Sequence, residues 1–272
     1  MQLAEPLVAS WKANLALRFS ARNGKTILAD RKSAGALVVQ KPLYPEGDAV
    51  CHAIVLHPPG GIAGGDELSL AAEVEKDSHA LLTTPGAGKW YRTAGPWARQ
   101  SLRFDVEGVL EWLPRETIVF DGALAALECT ISLAAAARFI GWEVVCLGRR
   151  GSGERFDRGR LQVETRVLRE RKLLFFEKGR LDGGGRLMSS PAGLDGRSVF
   201  GTMIAAFSFS SLNEFRKDIP DCIALTSLPG VLIARYLGDS SEEALLGFGR
   251  LWKLLRPALA GRAAVEPRIW RT

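Results

Sequence analysis

Histidine, methionine and tyrosine are scarce in this chain of 272 residues, with three of each. The histidines are His52, His57 and His79, and no pair of metal-binding residues has zinc-finger spacing. A closed structural metal site needs four well-placed ligands, so a permanent one is not expected. Cysteine is limited to Cys51, Cys129, Cys146 and Cys222, with no C-x-x-C pair. Met1 to Lys12 lacks a basic start followed by a long apolar run. Free thiols in a cytoplasmic protein are therefore expected. No stretch approaches the roughly 18 apolar residues that would cross a bilayer, and a membrane role is not expected. The longest apolar run, near Ile131 to Ala137, is closed by Arg138. Nor is there a strong excess of one charge. The 36 basic and 30 acidic residues leave a dispersed +6, which suits an acidic partner without demanding nucleic acid.

Apolar residues are plentiful at 47%, enough for a sizeable core, and the 29 glycines are spread along the chain. Alternation of apolar and polar residues dominates the first three quarters. It predicts strands at 51–56, 68–74, 80–84, 101–106, 110–113, 118–120 and 130–133. Residues 139–147 are largely apolar and fit a strand or a short helix. Leu161, Val163, Thr165 and Val167 share one face of a strand over 161–168. Further strands are expected at 173–177, 199–209, 223–225 and 231–237. Adjacent Cys51 and His52 point to opposite strand faces, so one of them is expected in the core. Gly, Pro, Asp and Asn punctuate these segments, and no linker separates two domains. The reading is a single mainly β domain over 1–272, with many short strands and about two helices, and without the fixed period of a propeller or regular solenoid.

The clearest helix lies near the C-terminus. Ser240 is placed to cap it and Glu243 to complete a capping box. Ala244, Phe248, Leu251, Trp252 and Leu255 recur at helical spacing. Lys253 and Arg256 fall in the expected last turn, and Pro257 is expected to stop it. The tail GRAAVEPRIWRT is basic and ends with Trp270, which reads as a loose end or a partner anchor.

Two segments imitate nucleotide and hydrolase motifs and fail on chemistry. PGAGK at 85–89 lacks the P-loop's first glycine, where Thr83 stands, and its metal-binding hydroxyl, where Trp90 stands. GRRGSGE at 148–154 has Arg150 where a nucleophile elbow needs glycine. The most distinctive stretch is HPPGGIAGGD at 57–66, with four glycines, two prolines and one acid. It is a loop shaped for close backbone contact, and Asp66 leaves it. Glu177 closes the apolar run LLFFE with Arg180 nearby, so it is either a salt-bridged strand end or an acid facing an internal polar passage.

HPPGGIAGGD, TTPGAGKWYR at 83–92 and LEWLPRETIVFDGA at 110–123 together resemble the urease accessory protein UreD (UreH) family. LVVQKPLYPEG at 37–47, RFIGWEVVCLGR at 138–149, RSVFGTMIA at 197–205, ARYLGDSSEEA at 234–244 and PRIW at 267–270 extend the resemblance along nearly the whole chain. Departures are small and lie near turns, at Ala36, Ala63, Gly88 and Trp90. The resemblance implies a β-helix-like stacked arrangement of strands and no enzymatic activity. It also implies work with a helical accessory protein, UreF, and a nickel-carrying GTPase, UreG, on the urease apoprotein, as part of a dimeric complex.

The function so implied is that of a nickel-delivery chaperone and scaffold. No cofactor would be permanently bound, nickel would pass transiently, and GTP would enter only through the partner. A passage needs weak successive ligands, because tight binding would trap the ion. Asp66 is the first candidate, then Glu177, then His57. Trp252, Trp270 and Arg268 are the candidates for partner binding. Two other readings are a pure adaptor without nickel conduction and a phosphate-handling enzyme built on the glycine loop.

Overall fold

A computed structural model describes residues 10–93, 95–208 and 219–271. Its strands are β1 (Lys12–Arg22), β2 (Lys25–Ala34), β3 (Val38–Val39), β4 (Cys51–Leu56), β5 (Glu67–Val74), β6 (His79–Thr83), β7 (Gly88–Trp90), β8 (Ala98–Val106) and β9 (Val109–Leu113). They continue as β10 (Thr117–Val119), β11 (Leu124–Leu133), β12 (Arg138–Leu147), β13 (Arg160–Arg169), β14 (Lys172–Asp182), β15 (Val199–Ala206), β16 (Ile223–Leu228) and β17 (Val231–Gly238). A short helix α1 (Arg186–Ser189) follows β14, and a long helix α2 (Ser241–Ala260) follows β17.

From β4 onward the chain alternates between two sheets. In one, β5, β8, β11 and β13 lie side by side and parallel. In the other, β4, β6, β9 and β12 do the same. Each coil of chain thus adds one strand to each sheet, which is the stacked arrangement of a β-helix. Antiparallel strands close the stack. β1, still parallel to β5, and its antiparallel partner β2 extend the first sheet at one end, and antiparallel β14 extends it at the other. β15, β17 and β16 extend the second sheet beyond β12.

Register explains why the alternation in the sequence is so regular. Leu17, Ala72, Phe104, Ile131 and Val167 are successive partners across β1, β5, β8, β11 and β13. Side chains of one parity therefore stack in rows facing the second sheet, and the opposite parity faces outward. The rows form the larger core. A second core lies on the far side of β12, where α2 buries Phe248, Leu251, Trp252, Leu255 and Leu259. β12 is covered on both faces, so residues 139–147 read as a continuous apolar run rather than an alternating one. The same double covering buries both Cys51 and His52, where one was expected to face away.

Five expectations are corrected. The N-terminal hairpin of β1 and β2 was not among the expected strands. α2 runs through Pro257 to Ala260 and ends at Gly261, whose φ of 67° supplies the left-handed cap. Proline removes one helical N–H, but Leu255 and Leu259 on either side are fully buried, and packing holds the turn. The capping box is only half formed. Ser240 accepts from the Glu243 N–H at 3.1 Å, while the Glu243 carboxylate accepts from the Tyr236 hydroxyl at 2.6 Å. Trp270 is not a loose end. It is half-buried, donates to the Thr83 hydroxyl at 2.9 Å, and lies 5.9 Å from Trp142 and 5.8 Å from Trp252 between ring centres. The expected strand at 199–209 ends at Ala206, and Phe209 falls outside the described residues. No helix among the described residues is long and apolar enough to cross a membrane.

Candidate functional site

The rows of side chains between the sheets do not fill the space completely. They leave a cavity of about 380 Å³. Leu70, Leu102, Cys129, Thr165 and Glu177 lie along its wall, one from each of β5, β8, β11, β13 and β14. These five are successive partners in register. At about 4.8 Å between strands, that row extends for roughly 19 Å. Across from it stand Gly141, Glu143 and Val145 of β12 and Thr202 of β15. The lining therefore changes from apolar at the β5 end to acidic and hydroxylated at the β14 end.

At the acidic end, Glu177 accepts from the Arg235 guanidinium at 2.6 Å, and Arg235 also donates to the Thr202 hydroxyl at 2.7 Å. Arg180, expected near Glu177, pairs instead with Asp182. The strand's alternation sends positions 177 and 180 to opposite faces. Glu143 lies opposite Thr202 in the β12–β15 register, and its carboxylate makes no hydrogen bond among the described residues. Burial, reinforced by repulsion from Glu177, pushes its carboxyl up to about 7. Burial likewise raises the Cys129 thiol, and the charge of Glu143 adds to the effect. Glu143 was not among the sequence candidates. The signal for it was present: an acid inside an apolar run on a strand covered on both faces must look into something other than packed core.

The glycine loop lies towards the other end, where His57, Gly60 and Ile62 line the cavity. Gly60 and Gly65 have φ of 73° and 94°. A Cβ on Gly64 would sit 2.0 Å from the Thr93 hydroxyl, so the loop needs that close approach. Ile62 exchanges backbone hydrogen bonds with Lys89 and Tyr91, which ties the loop to β7 and the residues after it. Burial lowers the His57 pKa against the opposing pull of Asp66.

Asp66 is placed differently from His57 and Glu177. It is buried, and the cavity lining does not include it. One carboxylate oxygen accepts from the Trp11 N–H at 2.9 Å and the other from the Ala63 N–H at 2.8 Å. It pins the glycine loop to the start of β1. Asp66→Ala leaves two backbone donors without these partners and is expected to cost about 2 kcal/mol, read from urea unfolding. A variant as stable as the wild type would mean that the pin carries no weight.

Of the expected partner-binding residues, Arg268 is exposed, Trp270 is half-buried and Trp252 is fully buried. Trp252 has no surface to offer a partner; it donates its indole N–H to Glu111. Around that carboxylate lies a buried charged network. Arg256 reaches Glu111 at 3.0 Å and Glu46 at 2.7 Å, His79 meets Glu111 at 2.6 Å, and His52 meets Glu46 at 2.6 Å. Among the described residues, no three of His, Cys, Asp and Glu converge so as to hold a metal ion. The donors that do face the cavity are carboxylate, hydroxyl, thiol and imidazole, placed along its length.

Comparison with known proteins bears on this architecture. A family model described as UreD urease accessory protein matches residues 12–271. A urease accessory protein UreD from Dechloromonas aromatica (strain RCB) is 53% identical, over 97% of this chain and 95% of the relative. Its counterpart from Azoarcus sp. (strain BH72) is 50% identical, over 96% of this chain and 94% of its own. One from Nitrosococcus oceani is 45% identical, over 98% and 92%. With the match running from β1 to the last turn at Trp270, the chain belongs to the UreD family of urease accessory proteins.

Proposed function

We propose that this chain serves urease maturation as a scaffold and nickel-delivery chaperone, with the inter-sheet cavity as the ion's route. Membership of the accessory family supports a role in maturation rather than catalysis. The observation that carries the finer reading is the cavity itself: Glu177 and Glu143 at one end, His57 at the other, and Thr165, Thr202 and Cys129 among the residues between the sheets. Nickel is borderline in softness and accepts carboxylate, imidazole and thiolate. Dispersed donors suit an ion that must leave again. Asp66 keeps a part in this reading by holding the loop that carries His57 rather than by meeting the ion. UreF and UreG would join the chain on the urease apoprotein in a dimeric assembly in the cytoplasm. UreG would supply the nucleotide chemistry, since PGAGK here lacks the required glycine and hydroxyl. Arg268 and the exposed part of the C-terminal turn would remain available to a partner.

Filling the route tests the reading. Thr165→Trp places a bulky ring in the cavity on an otherwise unchanged β13. Nickel per urease active site is expected to fall several-fold, while co-purification with the partner proteins is retained. Unchanged nickel loading with the assembly intact would favour the adaptor reading, in which nickel passes between the other proteins directly.

A further inference from the structure

We propose that the inter-sheet cavity is a binding site for linear alkylammonium ions, with the ammonium at the Glu143 end and the alkyl tail along β8 and β5. The proposal uses the cavity described above but not its role in nickel transfer. Its volume of about 380 Å³ lies within the range of small-molecule sites, which are mostly apolar with a few convergent polar groups. Both carboxylates of the lining, Glu143 and Glu177, are gathered at one end, with His57 towards the other. Glu143, Thr165 and Thr202 all line the carboxylate end, and all three can accept hydrogen bonds. An ammonium carries three donors and no acceptor, which matches that set.

The two carboxylates at this end are not equivalent. Glu177 already shares its charge with Arg235 at 2.6 Å. The Glu143 carboxylate has no hydrogen-bond partner among the described residues and faces the cavity from β12. A carboxylate in such a place gains more from an incoming cation than one in water, because the surrounding dielectric screens less. Away from it, Leu102 and Leu70 continue the row, with Leu68, Val55 and Ile62 further along the lining. An unbranched alkyl chain fits a slot that crosses successive strands, and each methylene it buries there is removed from water. The same geometry disfavours an alkyl carboxylate, whose head would meet Glu143 and Glu177.

Isothermal titration of the full-length chain with n-octylammonium chloride, octanol and sodium octanoate, without nickel or partner proteins, tests the site. Octylammonium is expected to bind one to one, about tenfold tighter than octanol, with octanoate weakest. Glu143→Gln is expected to bring octylammonium to the level of octanol and leave octanol unchanged. Leu102→Trp, which fills the apolar stretch, is expected to weaken all three. Failure of octylammonium to bind, equal affinity for octylammonium and octanol in the wild type, retention of the difference in Glu143→Gln, or indifference to Leu102→Trp would each overturn the proposal. Because no urease is present, a negative result leaves the nickel reading to its own test.

Discussion

Arg256→Met is expected to cost about 3–5 kcal/mol, the range for removing one partner from a buried ion network. The guanidinium is fully buried and lies between two carboxylates that are themselves almost wholly buried. Its Nε faces Glu111 at 3.0 and 3.1 Å, two of its nitrogens reach Glu46 at 2.7 Å, and it donates to the Ala263 carbonyl. Methionine fills a similar volume, so the loss is one of charge rather than packing. Glu46 and Glu111 would be left facing each other's region with only the two histidines and the Trp252 indole as partners. Because Arg256 sits on α2 while Glu46 precedes β4 and Glu111 lies on β9, the variant also loosens the tie between the C-terminal helix and the stack. Arg256→Lys is expected to recover only part of the stability, since a single ammonium cannot serve both carboxylates in a fork. Urea unfolding followed by tryptophan fluorescence reads this directly. A loss below about 1 kcal/mol would show that the network contributes no more than an exposed ion pair.

The same network sets an acid limit. Burial alone would raise the Glu46 pKa, but hydrogen bonds from His52 and Arg256 outweigh it and hold the carboxyl down to about 2 against an ordinary 4.5. A depressed carboxyl stabilises the fold above its unfolded pKa, and that contribution is lost as pH falls through its folded pKa. Wild-type stability is therefore expected to drop between about pH 4.5 and 2, and the drop should be shallower in Arg256→Met.

How much of this was legible in the sequence follows from the range over which each feature is determined. Strand positions were readable because one in-register row per parity makes alternation strict, as in Leu161, Val163 and Val167. The glycine loop was readable because its conformation is local. Division of the strands between two sheets was not, since β5 and β8 join one sheet and β6 the other by contacts across tens of residues. Arg256 read only as a last-turn cation because its partners lie 145 and 210 residues away. Trp270 looked free for the same reason, with Thr83 lying 187 residues distant. Pro257 was read by a local rule that packing of Leu255 and Leu259 overrode. Among the candidate residues, Glu177 and His57 reach the cavity. Asp66 was singled out for leaving the glycine loop, and the same position makes it the loop's pin. Glu143 was passed over because continuous apolar character hid the alternation that would have shown which way it points.

Glu143→Gln is expected to stabilise the protein at alkaline pH by up to roughly 3 kcal/mol, each tenfold change in the carboxyl's acidity being worth about 1.4 kcal/mol. The carboxyl titrates near 7 in the folded chain against an ordinary 4.5, raised first by burial and then by Glu177. A raised carboxyl favours folding while it is protonated. Its contribution is complete below about pH 4.5 and is lost as pH rises through 7. Wild-type stability should therefore decline from about pH 5 to pH 8, and the Gln variant should lack that decline, because an amide of similar shape carries no charge at either pH. Unfolding free energies of the two proteins, measured across this range, should be similar at pH 5 and diverge towards pH 8. The divergence measures how costly an unpaired negative charge is inside the stack, and hence how strongly an entering cation would be drawn to that point. Parallel curves would mean that water in the cavity solvates Glu143 as bulk water does, and that the acidic end has no special attraction for a cation.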